Sequence, residues 1–245
     1  MYRPVKIGPV PVAGQMDFRY TLVWRSINRR RSCVKVRSNV KKRSTTHRGT
    51  THRGRPREFD PEQALDRAIT VFWSKGYEGA SLPELTKAMG INRPSMYAAF
   101  GNKEQLFRKA LDRYYARASH VCEALGKPTA RGVVEALLRG TADALTQPGC
   151  PHGCLTVQAA LACGDEAVPV REEVCARRAA MEDELRRRLQ RAVKEGDLPK
   201  NANPAALARY VATVISGMSV QAASGATRKD LHRVAEMAMR AWPGV

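Results

Sequence analysis

The chain has 245 residues, 43% of them apolar, which is enough to bury a real core in one large or two small domains. Its formal net charge is +19, but 16 of the 42 Lys and Arg residues fall within residues 1 to 59 against only two acids, Asp17 and Glu58, which leaves 26 bases and 21 acids elsewhere. Six cysteines with no export signal exclude a secreted disulfide scaffold and are expected as reduced thiols in a cytoplasmic protein.

Residues 1 to 54 read as a disordered basic N-terminal extension. Pro4, Gly8, Pro9, Pro11 and Gly14 break its only apolar run, and the RRR at 29 to 31 and KKR at 41 to 43 repel one another. No uninterrupted apolar core follows the early charges, so it is not a secretory signal. At its end Arg53, Arg55 and Arg57 directly precede the first helix, placed to enter a minor groove or lie along phosphates. The other readings are a solvated tail and, for residues 1 to about 45, a translation start further downstream.

The first helix is capped by Asp60 and opened by Pro61, and Leu65, Ala68, Ile69 and Phe72 form one apolar stripe before Gly76 ends the run. Three more starts follow. Ser81 with Glu84 makes a capping box, Asn92 caps a short helix with Pro94 in its first turn, and Asn102 with Gln105 repeats the box. The expected helices cover 82 to 89, 93 to 99 and 103 onward, with Gly90 taking the left-handed stop and Ile91 plugging the corner. Two helices joined by so short a turn cross steeply, as in a helix-turn-helix whose second helix lies in the major groove. Arg93, Ser95, Met96 and Ala99 are then expected on the exposed face: arginine for a guanine edge, serine as an adaptable partner, methionine for a thymine methyl. Tyr97 and Lys103 suit phosphates, and Ser81, Thr86 and Pro94 complete the candidate DNA-binding set. Any tight helix pair in an all-helical protein has the same spacing, which is the competing reading.

The residues themselves go further. GINRPSMYAAFGNKEQLF resembles the recognition helix and following helix start of the TetR family of bacterial transcriptional repressors, and FDPEQALDRAITVFWSKGYEGASLPELTKAMG resembles the two helices before it. The resemblance covers about residues 55 to 112. It implies phosphate contacts by Tyr97 and Lys103 and a core role for Phe100. Ala98 and Ala99 depart from the aromatic or histidine residues that many members carry there.

Beyond the corner the pattern stays helical and shows no strand signal. One long helix is expected from Lys103 to Leu125, then helices over 130 to 146, 154 to 163 and 168 to 195. In the last of these Val170, Val174, Met181, Leu185 and Leu189 face inward, while Glu182 with Arg186 and Glu184 with Arg188 pair on the outside. Asn203 and Pro204 open a helix to 223, and Thr227 opens the last, to about Trp242. Helix 204 to 223 is apolar or small nearly all round. Leu207, Val211, Val214 and Met218 face the subunit core, and Tyr210, Thr213, Gly217 and Gln221 face a partner copy. Arg209 and the many small polar residues make it too polar for a membrane span, so no membrane partner is expected.

The fold class is therefore all-α: a helix-turn-helix domain over 55 to 104, then a helical ligand-binding and dimerisation domain over 105 to 245. The resemblance implies a four-helix bundle between two subunits and a small-molecule effector among the middle helices, with Tyr114, Met181, Trp242 and His152 as candidates by position. The function expected is a sequence-specific transcriptional regulator, a ligand-released repressor that binds a palindromic double-stranded DNA operator as a homodimer, with no cofactor.

Cys150, His152 and Cys154 lie within five residues, with Cys163 nine further on. They open a second reading as a thiol- or metal-responsive regulator. Other classes are an enzyme, using a cysteine with His152 as base or the neighbouring Glu172 and Glu173, and a non-specific nucleic-acid binder acting through the basic extension alone. No third orienting group accompanies either catalytic pair, and a non-enzymatic role is expected.

Overall fold

The computed structural model describes residues 59–161 and 167–243, so Arg53, Arg55, Arg57, Cys33 and Cys163 lie outside the described residues. The described residues fold as helices and turns. They run α1 (Pro61–Gly79), α2 (Leu82–Met89), α3 (Arg93–Phe100), α4 (Lys103–Ala116), α5 (Ser119–Leu125), α6 (Ala130–Leu145), α7 (Leu155–Leu161), α8 (Val168–Glu195), α9 (Pro204–Ala223) and α10 (Arg228–Arg240).

The starts follow the expected caps. Asp60 accepts from the Glu62 amide at 2.9 Å, and Ser81, Asn102 and Thr227 each head a two-way capping box with Glu84, Gln105 and Asp230. Asn203 accepts from the amides of Ala205 and Ala206. Gly90 and Gly196 close α2 and α8 in the left-handed conformation, where a side chain would be strained. Gly76, with φ 72° and ψ 178°, breaks the helical path without ending α1, which resumes to Gly79.

Three expectations need correction. The helix from Lys103 to Leu125 is two, because the chain turns at Arg117 and Ala118, and α5 then packs on α6. The outside pairs on α8 do not form as four-apart bridges. Glu182 instead bonds Arg209 of α9 at 2.6 Å, Arg186 bonds Asp183 at 2.9 Å, and Arg188 is buried, donating to the carbonyls of Lys127 and Pro128 at 2.9 and 2.8 Å. Met181 is half-buried, while Val170, Val174, Leu185 and Leu189 are core as expected.

One hydrophobic cluster joins the corner helices to α7 and the start of α8. Phe72, Leu85, Met89, Met96, Phe100, Leu106, Phe107 and Leu111 of α1 to α4 share it with Leu155 and Ala159 of α7 and Val170 and Val174 of α8. Phe107 meets Phe72 edge-on at 5.0 Å and Tyr77 at 5.2 Å, a geometry that aromatic quadrupoles favour. Elsewhere α10 packs on α6, and α9 packs on α8 and α6.

Polar clamps hold α4 on both sides. Arg113 takes Asp66 and Glu62 of α1, bonding Asp66 Oδ2 at 2.8 Å, and Arg117 takes Asp66 as well. On the other side Asp112 meets Arg177 of α8 at 2.7 Å, and Arg177 also bonds the buried Glu173 at 2.6 Å and lies over the Tyr115 ring. The Arg113 hydrogen bond holds the Asp66 carboxyl below its ordinary value of 3.8. A depressed carboxylate stabilises the fold above that value, and the contribution is lost as pH falls below it. Asp66→Asn should therefore lower stability by ~1 kcal/mol at neutral pH, as for a partly exposed network. Thermal melts at pH 7 and pH 3 should show the gap to the parent closing at the lower pH.

Candidate nucleic-acid interface

The corner is built by α2, Gly90 and α3. Gly90 has φ 70° and ψ 30°, its amide bonds the Lys87 carbonyl, and the Ile91 amide bonds the Thr86 carbonyl at 3.1 Å. A Cβ on Gly90 would sit 3.2 Å from the Arg67 guanidinium, so both φ and space favour glycine. Asn92 then caps α3 by accepting from the Ser95 amide at 2.8 Å.

The side chains of α3 divide into two faces. Met96 and Phe100 point inward at 0% and 4% exposure, and Ala99 is half-buried. Arg93, Pro94, Tyr97 and Ala98 are exposed, Ser95 is half-exposed, and Tyr97 keeps 48% of its surface open. Among the described residues no acid pairs with Arg93, so its guanidinium is free for an outside acceptor.

The structure departs from the sequence expectation at Met96 and Thr86. Met96 lies in the core and cannot reach a thymine methyl, because the eight-residue helix needs a second apolar anchor beside Phe100. Thr86 is 8% exposed and its hydroxyl donates back to the Leu82 and Pro83 carbonyls, so it belongs to the α2 interior. Ser81 spends its hydroxyl on Glu84 at 2.8 Å. Ala98, which the sequence left aside, is the exposed neighbour of Tyr97, and the burial of Met96 is the signal that turns the face toward it.

Two cations flank the face. Lys103 stands at the start of α4, its Nζ 4.6 Å over the Tyr77 ring and 3.4 Å from the Glu78 carbonyl, and burial pulls its pKa down from the usual lysine value. Lys87 is exposed in the last turn of α2. Lys75 bonds Glu84 and so braces α1 against α2, and this bond, with Ser81, holds the Glu84 carboxyl at about 2.

The other candidate groups fall into separate places. Cys154 Sγ lies 3.4 Å from Tyr114 Oη and 3.1 Å from Thr156 Oγ1, and burial pushes the Tyr114 hydroxyl well above its ordinary value and that of Tyr115 up to about 12. Cys150 is half-buried and His152 exposed, and among the described residues no group of three or more His, Cys, Asp or Glu side chains is placed to hold a metal. Glu172 is exposed while Glu173 is buried on Arg177, so the two carboxylates share no site. Met181 is on α8, and Trp242 is buried beyond the end of α10. Two grooves of about 290 and 280 Å³ lie elsewhere, one at Arg131, Arg139 and Met239 and one at Pro199, Asn203 and Leu207. Tyr210, Thr213, Gly217 and Gln221 are all exposed along α9. No described helix is long and apolar enough to cross a membrane.

Known proteins share this arrangement. The family described as bacterial regulatory proteins, tetR family, matches residues 64–110, and the tetracyclin repressor-like C-terminal domain matches residues 129–239. The HTH-type transcriptional repressor ComR of Escherichia coli K12 is 34% identical over 192 residues, 77% of this chain and 91% of its own. BdcR, another HTH-type transcriptional repressor of the same organism, is 32% identical over 189 residues, 75% of this chain and 89% of its own. Among solved structures, a cysteine mutant of the TetR family transcriptional regulator CifR, complexed with 26-bp double-strand operator DNA, is 46% identical with a TM-score of 0.75, covering 77% of this chain and all of that one. A TetR regulator from Rhodococcus sp. RHA1 is 42% identical with a TM-score of 0.53, covering 76% and 100%. With the corner, the helical C-terminal unit and these relatives in agreement along the same residues, the chain belongs to the TetR family of DNA-binding transcriptional regulators.

Proposed function

We propose that the chain is a repressor that binds a palindromic DNA operator as a homodimer and releases it when a small molecule occupies its C-terminal helices. The observation that carries the DNA side is the outward face of α3, where Arg93 has no acid beside it among the described residues and Tyr97 is 48% exposed. Arg93 and Ser95 read base edges, Ala98 offers apolar contact to a thymine methyl, and Pro94 lies against the groove wall. Tyr97, Lys103 and Lys87 lie along phosphates, and the α4 start adds the positive end of its helix dipole. That CifR was seen on operator DNA, and that ComR and BdcR are named repressors, supports the reading.

The dimer follows from α9 and α10. Tyr210, Thr213, Gly217 and Gln221 leave one face of α9 open, and Val220, Val234 and Met237 expose 44%, 41% and 60% of their surface nearby. Apolar side chains left open in this way favour a self-complementary two-fold contact. Two recognition helices then meet half-sites about one helical turn apart, ~34 Å. An effector lowers DNA affinity only to the extent that it prefers the released state.

A thiol response is a second reading, supported by the placing of Cys154 Sγ against the Tyr114 and Thr156 hydroxyls. Changing both Cys150 and Cys154 to alanine should abolish any response of DNA binding to oxidant, and a response that survives the double change ends the idea.

Selection of bound duplexes from a random pool should recover a palindrome, whereas flat enrichment would sink the repressor reading. With that duplex, Arg93→Ala should relax one base position symmetrically in both half-sites at ~1 to 3 kcal/mol each, while Lys103→Ala should weaken all sequences alike and reduce the salt slope. The interface has its own test. A Cβ at Gly217 meets nothing within 4 Å in the subunit, so Gly217→Glu leaves the fold intact and should convert the dimer to monomer in sedimentation. An unchanged mass would place the dimer contact elsewhere.

A further inference from the structure

The loop from Thr146 to Cys154, between α6 and α7, meets four helices near a single residue. The Gly153 amide donates to the Leu145 carbonyl at the end of α6 at 3.1 Å, and the Gly153 carbonyl accepts from Trp73 Nε1 of α1, also at 3.1 Å. The same residue is pressed on α9, where an added Cβ would lie 3.0 Å from the Ser219 carbonyl and the Ala223 methyl. Gly153 has φ +88°, so conformation and crowding both require glycine. Its peptide is thus fixed on three sides.

The next residue closes a ring of contacts. Cys154 Sγ lies 3.4 Å from Tyr114 Oη on α4, and the Tyr114 ring meets the Trp73 ring at 87° with centres 5.0 Å apart. Trp73, Tyr114, Cys154 and Gly153 therefore form a closed circuit of two polar contacts, one ring contact and one peptide bond. Two members stand on helices that carry the DNA-reading corner, and two on a loop seated against α9. The Asp112–Arg177 pair also crosses between the halves, but it grips α4 and leaves the angle of α1 to other contacts.

We propose that Trp73 is a positioning residue for DNA binding, whose indole N–H on the Gly153 carbonyl sets α1 against α9 and couples the recognition helix to the loop over residues 149 to 154. A hydrogen bond is directional, and the indole offers a single donor, so a small shift of the Gly153 carbonyl either carries α1 with it or breaks the bond. The proposal rests on the DNA-binding reading above and adds the route by which the two halves communicate.

Coupling between sites is reciprocal, so whatever loop movement does to DNA binding, bound DNA does to the loop. Hydrogen exchange of the full chain, with and without the duplex recovered from the random pool, measures this directly. In the parent protein saturating duplex should slow exchange over residues 147 to 159 by about fivefold or more, the lower range of allosteric coupling. Trp73→Phe keeps an aromatic ring on Tyr114 and removes the donor. That variant should bind the duplex and protect α2 and α3, while residues 147 to 159 exchange as in free protein. Should Trp73→Phe lack a thermal unfolding transition, Tyr114→Phe breaks the contact to Cys154 and is expected to lose the same protection. A loop indifferent to duplex in the parent, or protected equally in the folded variant, overturns the proposal. If the parent selects no duplex at all, the DNA-binding reading fails first, before any variant is made, and takes this proposal with it.

Discussion

The edge-to-face contact of Phe107 with Phe72, ring centres 5.0 Å apart, sets how α4 lies across α1, and the corner helices, α7 and the start of α8 pack around that crossing. Tyr77 closes on the same Phe107 ring and carries Lys103 over its face, so the aromatic node also places the first residue of α4. Leu106, Phe107, Ala110 and Leu111 of α4 lie in one apolar cluster with Leu155, Val170 and Val174. The DNA-reading corner therefore has no separate core, and α7 and α8 bear on it through the same packed side chains. Interiors packed at crystal-like density pass on displacement and do not absorb it, so a shift of α7 or α8 is felt at α4.

Charge in this molecule acts chiefly by placement. Glu62, Asp66, Glu84, Asp112 and Glu173 are committed to joints between or along helices, with Arg113, Lys75 and Arg177 as partners. Among the described residues Arg93 is left without an acid at the outward corner. A cation already paired within the subunit would have to break that pair to meet a guanine edge or a phosphate, so leaving this one free favours an outside acceptor. Lys103 is a different case, because it is partly desolvated over the Tyr77 ring and bonds the Glu78 carbonyl within the subunit.

The helix starts were legible in the sequence because a cap is a local device. Ser81, Asn92, Asn102, Asn203 and Thr227 satisfy amides two or three residues away, and the structure uses each of them so. The open face of α9 was legible for a similar reason, since a helix apolar on all sides has more surface than one subunit can cover. What escaped the sequence depends on partners far along the chain. Arg188 looks like one half of a surface pair with Glu184 until the Lys127 and Pro128 carbonyls, some sixty residues earlier, are seen to take it. The break after Ala116 carries no proline or glycine, and the apolar face runs on through Val121 to Leu125, so nothing local marks it. Gly153 shows only as a turn residue in sequence, although its carbonyl is the acceptor for Trp73 eighty positions away.

Met96 shows the same limit at the site itself. On a wheel of eight residues it could face either way, and a methionine in the major groove is chemically reasonable. Two considerations decide against it. An isolated eight-residue helix is not stable in water, so α3 persists only through its Asn92 cap and whatever it buries. Full burial of a methionine contributes ~1.5–3 kcal/mol, comparable to one good base contact, but it acts before DNA arrives and holds the helix in a single orientation. A recognition helix that had to order itself on the operator would lose that ordering free energy from its affinity for every sequence, right or wrong. By burying Met96 beside Phe100, α3 gives up one outward side chain and holds Arg93 and Ser95 at fixed positions on its open face, an order already present in the free protein.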